Sequence, residues 1–317
     1  MNVNDLDNVS YLDRIRIDHG TEILAASFNN LLRNSKAKAV QLLNEKNVSF
    51  VCLFILLPQI KTFNLFGALS QRNLQAIRFC ENIKQQPQSK IIQTVLRWML
   101  TTGAKEESLN SHFDEVLDRA AALLLITYKD STVLHIVSEL MFRRYRAGKC
   151  MHDLAWCFFK SQEIDTMPLV ANYIRSNNQR DNQLAYKLLN FKPQLQPNDK
   201  VQQYHNFHVW LNENKNFLYP TGESMQQTSV PKHWRVDLTA KYLCTPVTAP
   251  RMPVKPLHQE QKTRINTFET MEHSDKKMLA KYSFKTHERN LQVWSNWIKA
   301  PIETQISVAK AELGGLR

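Results

Sequence analysis

Apolar residues recur along most of the chain at helical spacing. In KIIQTVLRWML (90–100), Ile91, Ile92, Val95, Leu96 and Met99 fall on one broad face, which predicts a helix. Gly103 stands where its C-terminal cap would fall. SLNSHFDEVLDRAAALLLITYKD (108–130) predicts a second helix of about five turns. STVLHIVSELMFRRYRAGK (131–149) repeats the pattern, with Val133, Val137, Leu140, Met141 and Tyr145 as its buried face. Ser131 or Thr132 suits its start and Gly148 its end. FVCLFILLPQI (50–60) reads as a buried helix that ends near Pro58 and is too short to span a bilayer.

Shorter helical segments follow: HDLAWCFFK, TMPLVANYIRS and DNQLAYKLLNF. Thr166 and Asp181 suit N-caps, and Pro168 suits a first turn. SNNQRD makes the last two an αα-hairpin. Hairpins in series without a clean sequence period predict an all-α, irregular helical array of HEAT-like αα-hairpins. The texture changes at KPQLQPND (192–199), which reads as a linker. A boundary is therefore expected near residue 195. Residues 1–195 form the array, and 196–317 form a helical lobe with long loops at 219–234 and 245–257. The second loop is proline-rich and reads as extended connector. From about 258 helices resume, and 274–298 reads as one helix capped by Ser274. Its inward residues would be Met278, Leu279, Tyr282, Leu291, Trp294 and Ile298.

Composition supports the helical assignment. The chain has seven glycines in 317 residues, against a usual share of roughly 7%. Hairpin-rich and phosphate-loop folds need more. The five cysteines are odd in number and form no CxxC. They read as buried thiols of a reducing compartment. The first twenty residues lack a basic stretch followed by an apolar core, so no secretory leader and a cytoplasmic location are expected. No membrane insertion is expected.

The formal net charge is +12. Basic excess favours a polyanionic partner or an acidic protein surface, although a basic surface can also be inert. Two clusters stand out. Arg143, Arg144, Arg146 and Lys149 gather at a helix C-terminus, where cations also simply complement the helix dipole. Lys277, Lys281, Lys285 and Arg289 recur every four residues and would form a basic stripe on one helix. No helix-turn-helix or zinc-finger pattern accompanies them, so sequence-specific DNA reading is not expected.

Catalytic motifs are missing or degenerate. GESMQ (222–226) approaches the G-x-S-x-G elbow but ends in Gln226. SVPK, SKAK and SDKK all match S-x-x-K, which shows how cheaply that pattern arises. His205 and His208 share a helix face, but no carboxylate stands at ligand spacing. No phosphate-binding glycine loop and no HExxH occur. No cofactor and no metal are expected. The segment YPTGESMQQTSVPKHW (219–234) is long for a helix connection. Its Tyr219, Gly222, Glu223, Ser224, Met225 and Trp234 are candidates for a partner-binding loop, with Trp294 and Trp297 beside them in the chain's last helices.

HDLAWCFF, LAYKLLNF, FLYPTGESMQQTS, DLTAKYLC and LQVWSNWIKAPIETQISVAKA together resemble a family of uncharacterised, all-helical proteins from spore-forming anaerobic bacteria. That resemblance implies a bacterial cytosolic origin and allows a sporulation-linked role. It transfers no site and no activity. The leading expectation is a non-enzymatic scaffold or adaptor that binds proteins through a helical surface and the 217–234 loop. The alternative is a cytosolic protein that binds RNA or DNA backbone. A hydrolase using Ser224 comes third.

Overall fold

A computed structural model describes residues 9–84, 89–106, 109–191, 199–248 and 251–314. The fold is all-α, with one two-stranded sheet among the described residues. The chain groups into two compact units, 1–161 and 162–317. None of the helices among the described residues is long and apolar enough to cross a membrane.

The first unit contains α1 (Tyr11–His19), α2 (Thr21–Asn34), α3 (Lys36–Leu43), α4 (Phe50–Ile55), α5 (Leu57–Thr62), α6 (Gln71–Glu81), α7 (Lys90–Gly103), α8 (Ser111–Ala122), α9 (Leu134–Arg146) and α10 (His152–Lys160). Short polar caps punctuate it. Ser10, Ser49, Ser70, Ser89 and Asn110 each accept a hydrogen bond from a first-turn N–H of the helix they precede. These caps satisfy donors that a helix start leaves unpaired. Buried Asp13 accepts from the Ser49 backbone N–H at 2.8 Å and from the Cys52 thiol at 3.2 Å, which ties α1 to the start of α4. Asp130 plays a similar part. Burial would raise its pKa, but hydrogen bonds from Thr132, Arg97 and Gln93 outweigh that and hold it below the usual carboxylate range.

Three local expectations change. Pro58 opens α5 and does not close α4, because a first-turn proline lacks only an N–H that would go unpaired. The segment 108–130 is α-helical only over Ser111–Ala122 and continues as a π-helical turn over Leu123–Thr127. Gly103 is not a cap in left-handed conformation; it lies buried inside the last turn of α7. A Cβ there would sit 2.8 Å from Leu117 Cδ2 and 3.3 Å from Phe50 Cδ1. Phe50 in turn stacks on Phe113 with ring centroids 5.6 Å apart. The missing side chain is what lets α4, α7 and α8 close together. Gly148, by contrast, has φ +71° and ends α9 as expected.

The second unit contains α11 (Thr166–Ala171), α12 (Gln179–Leu189), α13 (Lys200–Asn214), β1 (Leu218–Pro220), β2 (Trp234–Val236), α14 (Leu238–Tyr242), α15 (Gln259–Glu269), α16 (His273–Arg289), α17 (Leu291–Trp297) and α18 (Ile302–Gly314). The α11–α12 hairpin begins this unit because it packs against α13. The change of texture near 195 thus lies within the unit, and 192–198 falls outside the described residues. The caps also shift: Asp165 precedes α11, and Asn178 caps α12 by accepting from the Arg180 N–H. Asp181 is instead buried and accepts from the Ser176 hydroxyl at 2.7 Å. The long helix expected over 274–298 breaks at Asn290, whose side chain caps α17. The break resets the helical phase, so Leu291 is 60% exposed where it was expected inward. Ser274 lies inside α16, behind its Glu272 N-cap. The core of this lobe is aromatic: Tyr242 stacks on Phe268 at 4.4 Å, and Trp297 meets Tyr242 and Tyr282 edge-on.

Replacing Gly103 with Val should destabilise the first unit by about 1–3 kcal/mol, the usual cost of overpacking. Calorimetry should then show a thermal midpoint several degrees lower. An unchanged midpoint would mean that the space opposite Leu117 and Phe50 is not limiting.

Candidate functional site

The two basic clusters have different surroundings. In the first, Arg144 is buried. Its guanidinium lies 2.6 Å from Asp118 Oδ1 and 3.4 Å from Asp114 Oδ1. Lys149 donates to Asp114 Oδ2 at 3.2 Å, and Arg143 donates to the Ala104 carbonyl. Burial pushes Asp118 up to about 6 in spite of the nearby guanidinium. Arg146 is half-buried on the same turn and also has interactions of its own. Arg144 and Lys149 thus tie α8 to the end of α9, and Arg143 ties α9 to the end of α7. Arg144 in particular is withdrawn from an approaching phosphate.

The second cluster runs along α16. Lys277, Lys281 and Arg289 are exposed, and Lys285 is half-buried. Among the described residues none of the four forms an ion pair, whereas neighbouring Lys276 is held by Glu269 at 3.4 Å. Steps of four residues place the charges about 6 Å apart along the axis, over about 18 Å in all. Beneath them lies Lys241 on α14, 5% exposed. Its ammonium donates to Asn214 Oδ1 at 2.7 Å and sits 5.0 Å from the Phe284 ring centre. Burial lowers its pKa to about 8, and Lys281 and Lys285 push it further the same way, against Glu213 and Cys244. Nothing in the sequence marked Lys241 beyond a lone cation between Ala240 and the apolar pair Tyr242–Leu243.

The 219–234 segment forms a β-hairpin, which periodicity did not predict. β1 and β2 are antiparallel, with Tyr219 opposite Arg235 and Pro220 opposite Trp234. Gly222 turns the chain at φ +80°, in open space. Glu223 then closes the loop. Its carboxylate accepts from the Lys232 N–H at 2.9 Å and from the Arg235 guanidinium at 2.6 Å, which together hold its pKa low. The Glu223 carbonyl lies 3.0 Å from Nδ1 of buried His233. Burial lowers the His233 pKa to about 4. Ser224 is buried, and its hydroxyl lies 3.4 Å from Gln227 Oε1. Among the described residues no His, Lys or carboxylate is hydrogen-bonded to that hydroxyl, as a base that activates a serine would be.

Several expected contact residues turn inward. Trp297 is buried and donates to the Gln305 carbonyl at 3.4 Å. Trp294 is half-buried and donates to Ser283 Oγ at 2.8 Å. Tyr219 carries the Arg251 guanidinium 5.1 Å from its ring centre. Met225 and Trp234 are half-buried. Amphipathicity places Trp294 inward even though it is also a contact candidate, and the inward placement is the one the structure has; Trp297 carries no such assignment. His205 is exposed and His208 half-buried. Among the described residues no group of three or more His, Cys, Asp or Glu side chains could hold a metal ion.

Two pH responses follow. His233 stays neutral in the folded loop but protonates near pH 6.5 when unfolded. The unfolded chain therefore binds more protons between about pH 6.5 and 4, and stability falls as pH drops through that window, by up to roughly 3 kcal/mol. His233→Asn should flatten the fall in thermal midpoint; an identical acid profile would remove His233 as its cause. Lys241 has the same sign at alkaline pH. Between about pH 8 and 10.5 the folded ammonium loses its proton before the unfolded one, so stability should rise with pH. Lys241→Met should abolish that rise in urea titrations, and a persistent rise would place its origin elsewhere.

No protein-family model, no curated protein and no solved structure matches the chain.

Proposed function

We propose that the protein is a non-enzymatic binder of nucleic-acid backbone that uses the outer face of α16. One observation carries this reading: four cations in register lack carboxylate partners among the described residues, and two of them already repel a buried lysine beneath. A surface built only for solubility normally intersperses both signs. Here a row of phosphates would supply the missing counter-charge and relieve the repulsion on Lys241. The first basic cluster contributes little, because Asp114 and Asp118 already neutralise much of it. Recognition would be of charge and spacing, since phosphate contacts carry no sequence information.

A protein partner is the second reading. It is favoured by Leu291 and Val293, which are 60% and 48% exposed at the start of α17, next in the chain to the basic helix. That partner would present an acidic surface with an apolar edge. The aromatic anchors first expected for a scaffold, Trp294 and Trp297, are engaged in their own core and lend it no support.

The test is fluorescence anisotropy with labelled single-stranded RNA and duplex DNA at two salt concentrations. Four phosphate contacts should weaken binding by about 50-fold on single strands and about 150-fold on duplex between 50 and 200 mM salt. Changing Lys277, Lys281 and Lys285 together to Glu should bring binding to background at the lower salt. Salt-independent binding, or full binding by the triple variant, would reject α16 as the site. No binding at either salt would turn the search to acidic proteins.

A further inference from the structure

A cleft of about 310 Å³ opens in the second unit between residues 244–246, residues 254–258 and the first turn of α15. Its walls are fixed by backbone contacts. The Val254 N–H donates to the Pro246 carbonyl at 2.9 Å, Val247 bridges Pro253, and the Thr248 N–H donates to the Met252 carbonyl at 2.8 Å. Arg251 anchors this turn by donating to Asp237 Oδ2 at 2.6 Å. The lining divides by chemistry. Pro246, Val254, Pro256 and Leu257 are apolar, whereas Lys255 supplies an ammonium. The acceptor of Gln261 is already used by the His258 N–H at 2.9 Å, which leaves its amide donors. Thr245 donates to the Leu243 carbonyl at 3.3 Å. No carboxylate lines the cleft, and Lys255 forms no ion pair among the described residues.

We infer that this cleft binds a small organic anion: a carboxylate or phosphate monoester that carries a compact apolar group. Lys255 meets the anionic head, with the Gln261 amide as a further donor, and Val254 (57% exposed), Leu257 and the two prolines offer apolar surface to the rest of the ligand. The volume lies at the lower end of the roughly 300–1,000 Å³ typical of ligand pockets, which suits a compact ligand. The cleft stands independently of the reading of α16, because none of the four α16 cations lines it.

Cys244, half-buried at the cleft and with its thiol pushed up to about 11 by burial, provides a slowly reacting test. Cys150 is exposed, and the other three cysteines are buried, so Cys150→Ser leaves Cys244 as the accessible thiol. Its maleimide labelling would be followed at mildly alkaline pH with benzoate, phenyl phosphate or inorganic phosphate. An anion bound with Kd near 1 mM should slow labelling about tenfold at ~10 mM ligand. Benzoate against phenyl phosphate distinguishes the carboxylate from the phosphate head. Inorganic phosphate, with no apolar part, should protect little. Lys255→Ala should remove the protection, while the triple Glu variant of α16 should keep it. Labelling unchanged by benzoate and phenyl phosphate would overturn the inference, and so would equal protection in Lys255→Ala. Should Cys244 resist the reagent, ligand-observed NMR line broadening decides. Broadening of the benzoate or phenyl phosphate signals that Lys255→Ala removes supports the site; broadening that is absent, or the same in the variant, overturns it.

Discussion

The buried ammonium of Lys241 sets the constraint around which the second unit is organised. A cation taken out of water must find a partner, because leaving it unpaired costs more than the fold can spare. Asn214, at the end of α13, supplies a carbonyl oxygen, and Phe284 of α16 supplies a ring face. One side chain therefore fixes three elements relative to each other. The aromatic stack of Tyr242 on Phe268 follows one residue later and brings in α15. Tyr242 also donates to Gln305 at 2.8 Å, which adds α18. The outer face of α16 is thus presented at a defined angle by contacts made on its inner face.

The same physics explains why two similar basic clusters diverge. Arg144 lies against a helix that offers Asp114 and Asp118, so its charge is absorbed inside the unit. Lys277, Lys281 and Arg289 are exposed and Lys285 is half-buried; none of the four forms an ion pair among the described residues, although Asp275 and Glu288 share their helix, and Glu269 is taken by Lys276. What distinguishes them is whether a carboxylate is brought into contact, not the number of cations. In the hairpin loop Glu223 is likewise consumed locally, by Arg235 and the Lys232 N–H. Most of the polar groups that made the loop look like a binding element are spent on holding its own turn.

The helical class was legible because it rests on local quantities. Few glycines, apolar residues at helical spacing and polar caps are visible without any contact map. Gly148 was also readable, since a positive φ just past a helix end favours glycine wherever the chain is. Gly103 was not, because its role is to leave room for Leu117 and Phe50, which are close only after folding. The hairpin of β1 and β2 was missed for a related reason. Each strand has three residues, too few to show a two-residue period, and they find each other across a loop.

The sequence by itself therefore determined the all-α class, most helix positions, the surplus of positive charge and the regular spacing of cations on α16. Those properties depend on composition and on periodicity along one element. Only the tertiary structure decided which cations are neutralised, that Trp297 faces inward, where a lysine is buried and where residues 244–246 and 254–258 leave a cleft. Those outcomes depend on pairs of residues distant in sequence, and on desolvation, which has no value until the neighbours are in place.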